Sequence, residues 1–153
     1  MKIMRLTGLL LLVAASAWAG NTATQNVDVT IPAIDEVAVS GDATITFSTP
    51  SGGSGFDDAT DASTTLSWTT NQSGREITVA YDAAHSGIVL KCEATSISGG
   101  TSAGQLTLGT SAADFVTSID NTSGSATLSY TASATLSATT SAYVVTFTIQ
   151  AAA

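Results

Sequence analysis

From residue 27 onward, apolar and polar residues of this chain alternate singly in one short run after another. Val27, Val29 and Ile31 alternate with Asp28 and Thr30, and Ile45 and Phe47 alternate with Thr44, Thr46 and Ser48. The same spacing recurs at Leu66 and Trp68, at Ile77, Val79 and Tyr81, and at Ile88, Leu90, Cys92 and Ala94. It returns at Leu106 and Leu108, at Leu128 and Tyr130, and at Tyr143, Val145, Phe147 and Ile149. A strand turns successive side chains to opposite faces, so each run predicts a strand with one apolar and one wet face. Threonine, frequent on the wet side, is itself a good strand former. No window after the first 20 residues carries an apolar stripe at helical spacing. Between the runs lie turn-forming stretches: Gly41-Asp42, Asn71-Gln72-Ser73-Gly74, Ser98-Gly99-Gly100 and Asn121-Thr122-Ser123-Gly124. Pro50 opens the longest flexible stretch, which runs on through Asp57, Asp58 and Asp61. The expected fold is all-β: an antiparallel β-sandwich, immunoglobulin-like or pilin-like, with a small β-barrel as the alternative.

The first 19 residues follow a different pattern. Lys2 and Arg5 precede an apolar stretch of 10 residues at 6–15, and Ala17-Trp18-Ala19 supplies small residues where a signal peptidase needs them. This predicts an export signal at 1–19, cleaved after Ala19, and a single β-sandwich domain at 20–153. The stretch is too short for a membrane span, which needs roughly 20 residues, and no later run is apolar enough to serve as one. The expected location is therefore outside the cytoplasm: periplasmic, cell-surface or extracellular.

Cleavage shifts the formal net charge from −8 to −10, because Lys2 and Arg5 leave with the signal. Only Arg75 and Lys91 remain as cations against 12 acidic residues. Such a chain lacks the basic footprint that nucleic acid binding requires, and it is repelled by anionic lipid. Cys92 is the only cysteine, so no internal disulfide can form. Its phase within Ile88, Leu90 and Ala94 predicts a buried thiol. Trp68 shares a face with Leu66, which predicts core packing in place of ligand stacking.

Candidate chemistry is sparse. His85 lies between Asp82 and Ser86, but neighbours in one loop do not supply the geometry of a catalytic triad, and no nucleophile elbow surrounds Ser86. The sequence therefore predicts no catalytic residues. One histidine and one distant cysteine do not form a zinc site. Asp57, Asp58 and Asp61 form the one candidate cation site, for calcium, since hard cations take carboxylate oxygens. No other cofactor is expected. Asn71-Gln72-Ser73 and Asn121-Thr122-Ser123 match the glycosylation acceptor pattern, a chance match in a sequence of bacterial appearance.

The alternating run at 24–31 just after the cleavage point and the closing run at 143–149, set in an acidic chain rich in Ala, Thr, Ser and Gly, resemble small secreted bacterial surface and fimbrial-subunit proteins. Unlike the disulfide-bonded pilins, this chain has no cysteine pair. The resemblance implies a non-enzymatic structural protein, a fibre or pilus-like subunit that self-associates through its N-terminal strand, with Val27, Val29 and Ile31 as its apolar face. The competing expectation is a monomeric binding module for a glycan or small ligand.

Overall fold

The computed structural model describes residues 22–48 and 56–153. The predicted signal segment and the start of the flexible stretch at Pro50 lie outside the described residues. The chain separates into two units, Met1–Ile31 and Pro32–Ala153. In the first, residues 22–31 carry neither helix nor strand and are exposed throughout. The second is all-β, with no helix among the described residues.

Among the described residues, nine strands build two antiparallel sheets packed face to face. The first sheet has the order β1 (Asp35–Val39), β2 (Ala59–Thr70), β8 (Ser123–Ala134), β4 (Ile88–Ser98), β6 (Leu106–Thr107). The second runs β5 (Thr101–Ser102), β7 (Ala113–Ile119), β3 (Arg75–Tyr81), β9 (Val145–Ala151). Both sheets end in terminal strands and neither closes on itself, so the architecture is a sandwich and the barrel alternative falls.

The core follows from the alternation. Leu66 and Trp68 of β2, Leu90, Cys92 and Ala94 of β4, and Ala126, Leu128 and Tyr130 of β8 are buried from the first sheet. Ile77, Val79, Phe115, Val116 and Ile119 meet them from the second. Register places Cys92 opposite Tyr130 and Ala94 opposite Leu128. Trp68 lies opposite Gly124, where a Cβ would collide with the indole Cε2 and with the Ser98 carbonyl. The glycine makes room for the ring, whose Nε1–H donates to the Gly99 carbonyl at 3.3 Å. Trp68 and Cys92 thus take the core positions expected of them.

Three runs depart from expectation. Residues 27–31 form no strand. Residues 44–48 keep the alternation, with Ile45 and Phe47 half-buried against the core, but join no ladder. On β3, Glu76 and Thr78 are buried along with Ile77 and Val79, and β3 is an inner strand with β7 and β9 on its two sides. Gln150, opposite Glu76 on β9, donates to its carboxylate at 3.0 Å.

β1 is held by contacts distant in sequence. Asn71 accepts from the Ile34 amide at 2.9 Å and donates to the Pro32 carbonyl at 2.8 Å. Asp35 forms an ion pair with Arg75 at 2.8 Å and also accepts from the Thr70 hydroxyl at 2.7 Å. Since β1 belongs to the first sheet and Arg75 to the second, this cluster ties the sheets together at one end of the sandwich. No helix among the described residues is long and apolar enough to cross a membrane.

Candidate functional site

Pairing leaves one flank of the sandwich open. β1 covers only residues 66–70 of β2, so the part of β2 before Thr65 has β8 on one side and, among the described residues, no strand on the other. In the second sheet, β9 is the terminal strand. The segment that follows β1 runs along this flank. Ser40 pairs with Thr65, its amide donating to the Thr65 carbonyl at 2.9 Å and its hydroxyl accepting from the Thr65 amide at 2.9 Å. Farther on, Ile45 and Phe47 turn inward, and Phe47 packs at a tilt on Phe56 with ring centroids 5.6 Å apart.

These elements enclose a cleft of about 820 Å3. Its inner wall is mostly carbon: Leu90, Tyr130, Ala132, Val145 and Phe147. Its mouth is formed by exposed residues, among them Asp42, Thr44, Thr139 and Thr140. Thr64 also lines it. The residue is 3% exposed, and its Oγ1 has no hydrogen-bond partner among the described residues. A buried hydroxyl in that state carries an uncompensated desolvation cost.

One wall of the cleft is the chain between β8 and β9, and two residues of the predicted Asp82-His85-Ser86 loop hold it in place. Asp82 accepts from the Val144 amide at 2.9 Å, and its own amide donates to the Val144 carbonyl at 3.0 Å. The first of these bonds stabilises the carboxylate and holds the Asp82 pKa below 3.8. His85 Nε2–H donates to the Ala142 carbonyl at 2.9 Å, and its ring meets Tyr143 edge-on at 4.6 Å. Tyr143 in turn packs on Tyr81 at 5.1 Å, and burial raises its phenol pKa. Both polar side chains thus point to the backbone of 142–144, and neither is hydrogen-bonded to Ser86.

The three aspartates weighed for calcium do not gather. Asp57 and Asp58 are exposed and precede β2, whereas Asp61 lies on β2. The Asp61 carboxylate accepts from the Ser63 amide at 3.0 Å and the Ser63 hydroxyl at 2.8 Å, bonds that hold its pKa below 3.8. Among the described residues, no group of three His, Cys, Asp or Glu side chains is arranged to hold a metal ion. In the candidate assembly strand, Val27, Val29 and Ile31 are 73%, 79% and 76% exposed.

Sequence reasoning passed over Thr64, although its phase was legible: it stands two residues before Leu66 and four before Trp68, on the same face. The roles of Asp82 and His85 left no such signal, because their partners are backbone groups about 60 residues away. No protein-family model matches this chain, and no curated protein or solved structure matches it either.

Proposed function

We propose that this protein is an exported, non-enzymatic structural subunit that self-assembles by strand addition, with the run at 24–31 as the added strand. The observation that carries this reading is the exposure of three apolar side chains at strand spacing, Val27, Val29 and Ile31, in a segment with no ladder partner. Water-exposed valine and isoleucine at period two make a strand face that lacks a sheet. Full burial of each such side chain contributes about 1.5–3 kcal/mol. The backbone groups of an added strand pair with an unpaired sheet edge, and alternate side chains set the register. β9 offers such an edge: it is seven residues long, pairs among the described residues with β3 on one side only, and turns Val145, Phe147 and Ile149 toward the core. Asp28 and Thr30, on the opposite face of the run, keep the added strand soluble. The resemblance to fimbrial-subunit proteins and the predicted export signal point the same way.

The test is size-exclusion chromatography with negative-stain microscopy on residues 20–153 and on the Val29→Asp variant. Wild-type protein should form elongated assemblies. Val29→Asp, which sets a charge in the middle of the apolar face, should abolish them and leave the melting temperature of the monomer unchanged. A wild-type protein that stays monomeric at every concentration, or a variant that assembles equally well, overturns the proposal.

A further inference from the structure

We infer that the cleft between β9 and the first half of β2 is a binding site for an uncharged amphiphile: a compact apolar body carrying one hydrogen-bonding head. The inference does not use the assembly reading as a premise, although both draw on β9; it rests on the size, wall chemistry and charge of the cleft and on one side chain.

A volume of about 820 Å3 falls within the roughly 300–1,000 Å3 typical of small-molecule sites. The inner wall is built of Leu90, Ala132, Val145 and Phe147, with Phe47 and Tyr143 also lining the cleft. Water confined against such a wall lacks the two to four polar partners that hold it in place. The wall nevertheless includes one buried hydroxyl without a hydrogen-bond partner among the described residues, Thr64 Oγ1, in a residue only 3% exposed. A ligand head that reaches this hydroxyl supplies the missing hydrogen bond while its body covers the carbon wall.

Charge narrows the class further. Among the described residues, Asp42, at the mouth, is the only charged one lining the cleft, and no lysine or arginine lines it to hold a carboxylate or phosphate. An anionic amphiphile is therefore disfavoured.

Three probes of one shape separate the possibilities: para-propylphenol, propylbenzene and para-propylbenzoate, each titrated into residues 20–153 and followed by amide NMR shifts. The phenol should bind saturably, with shifts centred on Thr64, Leu90 and Phe147. It should bind about tenfold more tightly than propylbenzene, the factor expected for one buried hydrogen bond to an otherwise unpaired group. The benzoate should bind most weakly of the three. Thr64→Val keeps the shape of the side chain and removes the hydroxyl, so the phenol and propylbenzene should then bind equally. Thr64→Ser should retain the preference, which makes the test robust to any packing defect in the valine variant. The inference is overturned by non-saturable binding of the phenol, by equal wild-type affinities for phenol and propylbenzene, or by a preference that survives Thr64→Val. It is also overturned if a peptide of residues 24–31 displaces the phenol at equal concentration, which would assign the cleft to the assembly strand.

Discussion

Replacing Gly124 with alanine places a methyl group where the structure has no space for one. The new Cβ collides on one side with the indole carbon Cε2 of Trp68 and on the other with the Ser98 carbonyl oxygen. Neither neighbour can yield easily. The indole is 2% exposed and fixed by its hydrogen bond to the Gly99 carbonyl, and Ser98 is backbone in the ladder beside β8. Overpacking of this kind costs about 1–3 kcal/mol. For a unit of 122 residues, Pro32–Ala153, each kcal/mol lowers the melting temperature by roughly 3–5 °C. The expected fall is therefore roughly 3–15 °C in thermal unfolding followed by circular dichroism. Urea unfolding should show a lower midpoint at an unchanged slope, since the surface exposed on unfolding stays the same. Trp68→Phe in the Gly124→Ala background should recover part of the loss but not all, because the clash with the Ser98 carbonyl persists. The two substitutions should thus couple by about 0.5–3 kcal/mol. A melting temperature within about 1 °C of wild type for Gly124→Ala, or strict additivity in the double variant, would refute the claim that this glycine exists to seat the indole.

Cys92 is fully buried, and burial pushes its thiol up to about 12 from 9.0. It should therefore react slowly with a thiol reagent in the native state and quickly in denaturant. Because the unfolded chain gives up this proton first, stability should fall as pH rises from about 9 toward 12, and Cys92→Ala should flatten that decline. Asp35→Ala removes both the ion pair with Arg75 and the acceptor for Thr70, and should cost about 1–3 kcal/mol in urea unfolding. Asp35→Asn keeps an acceptor for Thr70 and should cost less, and the difference between the two variants should hold in high salt.

Single alternation in the sequence determined the class of the fold and the inward face of most long strands. β2, β3, β4, β8 and β9 all appear where the period-two runs stand, and the inward positions of Leu66, Trp68, Leu90, Cys92 and Leu128 followed from phase alone. Phase is local: once a segment is a strand, its own sequence settles which residues share a face. Whether it becomes a strand is a matter of partners. The runs at 27–31 and 44–48 alternate as well as any other, but no ladder receives them. β1, with Asp35 and Glu36 at its start, is not among the alternating runs read from the sequence, and it becomes a strand where Asn71 and Arg75 hold it against β2. β7 was hidden because its pairing with β3 shifts register twice, which puts the adjacent residues Phe115 and Val116 both in the core and breaks the period. The cleft lay beyond the reach of the sequence for the same reason. It exists because β1 stops short along β2 while β9 ends its sheet. Its wall is fixed by Asp82 and His85 through backbone groups about 60 residues away. The inward phase of Thr64 was legible, but that its hydroxyl would have no partner was decided only when the two sheets met.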